Sequence, residues 1–212
     1  MTYYPINLVI KNKRCVVVGG GRVALRKVQS LLEAEALVTV ISPMLLPQFA
    51  KIKSKITYLE KKYTQGDLED CFIVICATNN QQVNAAAAEE ARASGALVDL
   101  TDNAAEGDFT VPAKVRRGPL TLTISTDGLS PALTVLIKKE LEKKYNENYT
   151  EFLLLLGELR GKLKQEVACS KHREAIWRTV LTEEVIKLAQ AGKIKEVKEI
   201  LEHAISSFRA QS

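Results

Sequence analysis

Over the first half of the chain, short apolar runs alternate with longer amphipathic stretches. CVVVG at 15–19 is continuously apolar and ends in glycine, the pattern of a strand buried on both faces of a parallel sheet. Val23, Leu25, Val28, Leu31 and Leu32 then recur near helical spacing and predict a helix over 23–35. LVTVIS at 37–42 predicts a second strand, ITYLEKKY at 56–63 a weaker third, and CFIVICAT at 71–78 a strongly apolar fourth. QQVNAAAAEEARASG reads as an alanine-rich helix stopped by Gly95, and ALVDL at 96–100 as a fifth strand. This strand–helix–strand order implies a parallel sheet with right-handed crossovers.

The rhythm changes near Phe109. Leu120, Leu122 and Ile124 alternate with Thr121, Thr123 and Ser125, as in a half-buried strand. With FTVPAKVRR before Gly118-Pro119, this predicts a hairpin. Ser130 and Pro131 suit the N-cap and first turn of a helix. From Tyr149 onward the pattern is wholly helical, with Thr182 as a further N-cap and Gly192 as a break. The fold class is α/β: a Rossmann-like parallel sheet over 1–112, a small β/α segment over 113–147 and a helical domain over 148–212.

Hydrophobic residues at 46% and charged residues at 26% are ordinary for a globular chain, so a buried core needs no staples. The net charge of +5 is too mild to indicate nucleic acid, and it suits a small anionic ligand. Cys15, Cys71, Cys76 and Cys169 include no C-x-x-C pair and read as small hydrophobes in a reducing compartment. Pro5, Asn7 and Lys11 interrupt any signal-peptide core, and no apolar run approaches the roughly 20 residues of a membrane span. The expectation is a cytoplasmic protein with neither membrane nor nucleic acid as partner.

Gly19, Gly21 and Ala24 match G-x-G-x-x-G/A between a buried strand and a helix. The first glycine permits a tight turn, the second lets a pyrophosphate approach the backbone, and the small third residue lets helix pack on strand. Amide groups at this helix start would face a phosphate, and Arg22 adds charge. The acid that usually holds the ribose is missing. Ser42 ends the second strand and no Asp or Glu lies between residues 36 and 59, so NADP is not excluded on this ground. Thr78 and Asn79 in CATNN fall at the carboxyl edge of the sheet, where open α/β sheets bind ligands; they also read as a polar turn capping the next helix. In DLTDNAAEGDF, Asp99, Asp102, Glu106 and Asp108 are expected to cluster at that edge. A dehydrogenation releases a proton alongside the hydride, and Asp102 is placed to take it, although Asp102-Asn103 are equally turn formers. His172 and His203 lie far along the chain, in the helical tail. STDGLSP at 125–131 and the preceding Lys114, Arg116 and Arg117 offer hydroxyls, amides and charge to a carboxylate, or else form a capped turn with a solvated basic face.

Taken together, YPINLVIKNKRCVVVGGGRVALRKVQSLLEA, VICATNNQQVN, VDLTDNAAEGDFTVPAKVRRGPLTLTISTDGLSP and IKKELEKKY resemble the siroheme synthase family. That family takes in precorrin-2 dehydrogenases and bifunctional relatives that are also sirohydrochlorin ferrochelatases. The match covers most of 3–145, and REAIW at 173–177 extends it loosely into the tail. The resemblance implies an NAD-binding domain, a central dimerisation segment exchanged in a homodimer, and a C-terminal helical domain. It also accounts for the missing acid, because the family's second strand ends in a short small-residue turn before proline. NAD would lie against Gly19, Gly20, Gly21, Arg22 and Val23, with Ser42, Pro43 and Met44 near the adenosine and Thr78 and Asn79 nearer the nicotinamide. The family's essential aspartate falls on Asp102, and its serine-rich loop on Ser125, Thr126, Gly128 and Ser130. With Lys114, Arg116 and Arg117, that loop would anchor the carboxylates of the tetrapyrrole. The implied activity is oxidation of precorrin-2 to sirohydrochlorin for siroheme or cobalamin. Insertion of Fe²⁺ or Co²⁺ into the product is an alternative second activity, and a non-catalytic NAD(H)-sensing module a more distant reading. Glu35 stands where the family has glycine, an expected loss of a helix C-cap; Asp99 stands where Asn is common, and Thr126 where some relatives have serine.

Overall fold

The computed structural model describes residues 3–210; residues 1, 2, 211 and 212 lie outside that description. The chain forms two compact units, Met1–Val111 and Pro112–Ser212. The first contains β1 (Arg14–Val18), β2 (Leu37–Ile41), β3 (Thr57–Leu59), β4 (Ile73–Cys76) and β5 (Leu97–Leu100), all parallel, in the order β3-β2-β1-β4-β5. Strand alternation divides β1 between two layers. Cys15 and Val17 face the layer holding Ala24, Val28 and Leu31 of α1 (Arg22–Glu33). Val16 and Val18 face the layer holding Ala87, Ala88 and Ala91 of α2 (Gln81–Ala93). Burial on both faces explains the continuous apolar runs.

Two expectations change at the edges of this sheet. The third strand is three residues long rather than eight, because Lys61 N donates to Leu59 O and turns the chain out of the ladder. The end of α1 keeps its cap bonds: Ala36 N donates to Leu31 O and Glu35 N to Leu32 O, the pattern of a Schellman motif. The absence of glycine shows instead as a left-handed Glu35, with φ at 59°.

The four carboxylates expected at the carboxyl edge do not cluster, and no metal-binding group of His, Cys, Asp and Glu forms among the described residues. Asp99 is buried within β5 and forms an ion pair with Lys27 on α1. Asp108 folds back so that Oδ2 accepts from Val98 N at 2.9 Å. The Glu106 carbonyl accepts from the Arg92 side chain. Asp102 stays at the edge next to the end of β4, where its carboxylate accepts from Asn84.

The second unit opens with an antiparallel hairpin of β6 (Ala113–Arg117) and β7 (Leu120–Ile124). Gly118 turns it with φ at 54°, and a Cβ there would lie 2.7 Å from the Thr150 methyl. Helix α3 (Pro131–Lys144) follows, N-capped by Ser130, whose hydroxyl accepts from Leu133 N. Helices α4 (Asn148–Glu166), α5 (Ser170–Val180), α6 (Glu183–Gln190) and α7 (Ile194–Ala210) share one core, with Phe152, Leu159, Leu163, Val185, Val197 and Leu201 buried in it. Thr182 caps α6 and Gly192, at φ 76°, ends it, as the sequence predicts. Among the described residues no helix is long and apolar enough to cross a membrane.

The Lys27–Asp99 pair yields a stability prediction. Removing one partner of a buried pair strands the other charge and costs about 3 kcal/mol or more, whereas replacing both by apolar groups of similar volume is close to neutral. Lys27→Met is therefore expected to lower the urea midpoint sharply, and Lys27→Met combined with Asp99→Leu to restore most of it. Equal loss in the single and double variants would show that the pair contributes nothing as a unit.

Candidate active site

The chain enters β1 in the middle of the sheet, goes to β2 on one side, and later crosses to β4 on the other. The carboxyl ends of β1 and β4 therefore form the topological switch point, where open sheets leave a crevice. A cavity of about 740 Å³ occupies it. Gly19, Gly20, Gly21, Ser42, Pro43, Met44, Thr78 and Asn79 line this cavity, so the structure brings together eight of the ten residues expected around a dinucleotide. Arg22 and Val23 begin α1 outside the lining and face the solvent. Lys62, Tyr63, Asn80 and Val83 are also part of the wall, and the sequence reading missed them.

The three glycines divide the work of the loop between packing and open space. Gly19 has φ at 126°, and a Cβ on it would lie 2.4 Å from the Ala77 carbonyl oxygen. A Cβ on Gly20 would lie 2.1 Å from Met44 O and 2.7 Å from Ser42 Oγ. Both are demanded by the fold. Gly21 has nothing within 4 Å of its would-be Cβ; it is the glycine that leaves room for a ligand. It also occupies the N-cap of α1 and gives that helix no side-chain cap, whereas Asn80 caps α2 through Gln82 N and Val83 N. The first-turn amides of α1 are thus left for an anion.

Ser42 is buried, and its hydroxyl donates to Met44 O at 2.7 Å. Its proton is spent on the 42–44 turn, so toward a ribose it can only accept. Among the described residues no Asp or Glu lines the cavity, and Lys62 is the charged residue that does. Tyr63 donates from its hydroxyl to Glu90 Oε2 at 2.5 Å. Burial and that carboxylate raise the phenol well above its ordinary range, so it stays protonated.

One side chain ties the cavity's rim to the aspartate. Asn84 is 1% exposed. Its Oδ1 accepts from Thr78 Oγ1 at 2.7 Å and Thr78 N at 3.2 Å. Its Nδ2 donates to Thr78 O at 3.2 Å and to Asp102 Oδ2 at 2.9 Å. Thr101 holds the same loop to β4 by donating from N and Oγ1 to Cys76 O. Asp102 itself is exposed. Burial, then the Asp102 and Asp99 charges, push the Cys76 thiol up to about 12, which rules it out as a nucleophile at neutral pH. Asn84 had a signal in the sequence: it shares a helix face with Ala87, Ala88 and Ala91, a polar residue in an otherwise apolar stripe.

The expected carboxylate anchors all lie in the second unit. Lys114 and Arg116 share one face of β6, and Arg117 lies on the other, where its Nε is 3.3 Å from Glu147 Oε1. In the 125–130 loop, Asp127 and Gly128 both have positive φ. Ser125 Oγ accepts from Asp127 N, Thr126 Oγ1 accepts from Ser130 N, and Ser130 caps α3. A larger groove of about 1230 Å³ runs between α4 and α5 past Gly157, Arg160 and Trp177; none of the expected site residues line it.

Comparison with known proteins agrees with this layout. Residues 6–113 match the family model described as "Putative NAD(P)-binding", 117–144 match "Sirohaem biosynthesis protein central", and 148–205 match "Sirohaem synthase dimerisation region". The chain belongs to the siroheme synthase family. The siroheme synthase of Nitrosococcus oceani is 34% identical over 207 residues, which cover 97% of this chain and 44% of that protein. That of Pseudoalteromonas translucida is 32% identical over 209 residues, covering 98% and 44%. The chain thus spans less than half the length of these siroheme synthases. The solved structure of SirC, precorrin-2 dehydrogenase, superposes with a TM-score of 0.75 at 28% identity, covering 93% of this chain and 100% of that one. Within the family framework the first unit is a domain for a nicotinamide dinucleotide.

The three glycines are separable by experiment. Gly21→Ala fills open space, so its melting temperature should stay near that of the parent while dinucleotide affinity falls about tenfold or more as the backbone is kept from the phosphates. Gly20→Ala drives a methyl into Met44 O and should cost about 1–3 kcal/mol of stability. Calorimetric titration with NAD⁺ beside thermal melts checks both; undiminished affinity in Gly21→Ala would place the phosphates elsewhere.

Proposed function

We propose that this chain is an NAD-dependent dehydrogenase that oxidises precorrin-2 to sirohydrochlorin. The observation that carries the proposal is Asp102, an exposed carboxylate tethered through Asn84 to the turn at the rim of the switch-point cavity. The family framework and the full-length likeness to a precorrin-2 dehydrogenase supply the substrate class.

The overall reaction is precorrin-2 plus NAD⁺ giving sirohydrochlorin, NADH and one proton; NAD⁺ supplies the hydride acceptor. The chain's own residues bind, orient and move the proton. The open first-turn amides of α1 and Gly21 receive the diphosphate, and the 42–44 turn borders the adenosine. Thr78 and Asn79 border the nicotinamide half. Asp102 accepts the proton released as the hydride leaves, on the oxygen that Asn84 does not hold. Lys114, Arg116, Arg117 and the 125–130 loop supply charge and donors for the substrate's carboxylates, with Lys114 and Arg116 acting from one face of the hairpin. NAD is favoured over NADP by the family resemblance. The cavity contributes little to the choice, because it presents no carboxylate to repel a 2′-phosphate.

An anaerobic assay following absorbance of NADH with precorrin-2 tests the reaction, with NADP⁺ in a parallel arm. Asp102→Asn should lower kcat by about 10²-fold or more while NAD⁺ affinity changes little. Turnover unchanged in that variant would remove Asp102 from the mechanism, and no NADH from the parent protein would overturn the activity itself.

The same reading makes the chain a homodimer. Helix α3 buries no residue within the chain, and Leu129, Leu133, Val135 and Leu136 are exposed in and just before it. An apolar surface of this kind on a central segment is suited to cover by a second copy. Sedimentation equilibrium is expected to give twice the chain mass, and Leu133→Glu with Leu136→Glu to shift it toward one chain; a monomeric parent protein would refute the arrangement.

A further inference from the structure

We infer that Asn84 is the positioning residue of the reaction, coupling the dinucleotide-binding turn to the proton acceptor. This rests on Asp102 being that acceptor. A primary amide has two lone-pair sites on oxygen and two N–H donors. In Asn84 all four are used: Thr78 N and Oγ1 donate to Oδ1, and Nδ2 donates to Thr78 O and Asp102 Oδ2. Burial of a polar side chain at 1% exposure is tolerable only because every bond is made.

The geometry does more than satisfy Asn84. Three of its bonds fix the backbone and hydroxyl of Thr78, a residue lining the cavity. The fourth holds one oxygen of Asp102 at 2.9 Å, while Oδ1 carries no such bond among the described residues. The carboxylate is therefore turned in one direction, with its second oxygen presented outward. Asn84 sits in the first turn of α2, fixed by its own N–H to Asn80 O and by the Asn80 cap on Gln82 N and Val83 N. Thr78, Asn80, Asn84 and Asp102 thus form one hydrogen-bonded block across the ends of β4, α2 and β5. Any movement of the 77–80 turn on binding a dinucleotide moves Asp102 with it.

Asn84→Asp is the informative variant. It keeps the shape of the side chain and the oxygen that accepts from Thr78, but replaces the donor facing Asp102 with a second carboxylate. Above the pH at which the pair gives up its shared proton, the variant should lose about 10- to 100-fold in kcat through misorientation of the base, with NAD⁺ affinity within about threefold of the parent. Two carboxylates facing each other hold one proton between them to higher pH than either would alone. As pH falls, the protonated form regains a donor toward Asp102, so the ratio of variant to parent kcat should rise. A structural lesion has no reason to give that pH signature.

Asn84→Ala supplies the second measurement, read in a double-mutant cycle with Asp102→Ala. If Asn84 acts through Asp102, adding Asn84→Ala to Asp102→Ala leaves the residual kcat unchanged; if it acts only on stability or cofactor binding, the two losses multiply. Multiplying losses, a pH-independent ratio for Asn84→Asp, or parental kcat in Asn84→Asp at every pH would each overturn the proposal. Failure of the underlying reading looks different, because Asp102→Ala alone would then be fully active.

Discussion

The architecture of the dinucleotide cleft depends on backbone packing against backbone at the carboxyl edge of the sheet. Gly19 lies against the Ala77 carbonyl and Gly20 against the Met44 carbonyl, both at distances no Cβ could occupy. Two loops from either side of the switch point are closed onto the loop between β1 and α1. That closure fixes the 42–44 turn, through Leu46 N to Gly20 O as well as Ser42 to Met44, and sets the depth of the cavity above it. It also leaves Gly21 as the glycine with free space in front, so the ligand side and the packing side of the loop are separated by a single residue.

On the other flank, order comes from polar groups that could not otherwise be buried. Asn84 interrupts an alanine face that lies close against the sheet, and its amide is satisfied by the Thr78 turn and Asp102. The Lys27–Asp99 pair does the same between α1 and β5. Unpaired, either group would carry a desolvation penalty of several kcal/mol. Pairings of this kind also separate the carboxylates near the end of β5. Asp99 is drawn inward by Lys27 and Asp108 is folded back to Val98 N, while Asp102 accepts from Asn84.

The second unit is built on a different balance. Its four last helices bury a common apolar core, while no residue of α3 is fully buried within its own chain. Its hairpin divides the basic residues between faces, and the hydroxyls of the 125–130 loop are mostly engaged in forming the turn and capping α3. The hydroxyls of this loop thus hold its own shape, and Asp127 and Gly128 turn it with positive φ.

The sequence by itself determined the parallel sheet, the place of its glycine loop and most helix ends. Continuous apolar runs, the G-x-G-x-x-A spacing and caps such as Ser130, Thr182 and Gly95 act through local sterics and hydrogen bonding, which are legible within a few residues. It also placed Thr78, Asn79 and Asp102 at one sheet edge, because strand ends in a parallel sheet share a side. What only the tertiary structure decided were choices between partners far apart in the chain. Whether a carboxylate faces a ligand or a lysine, and whether a glycine is required by a carbonyl or by a phosphate, turn on which groups meet across 24 to 72 residues of sequence. Residue periodicity encodes a face, and a face does not name the atom opposite it. For Asn84 that atom is a carboxylate oxygen 2.9 Å away, reached only once β4, α2 and β5 have been brought together.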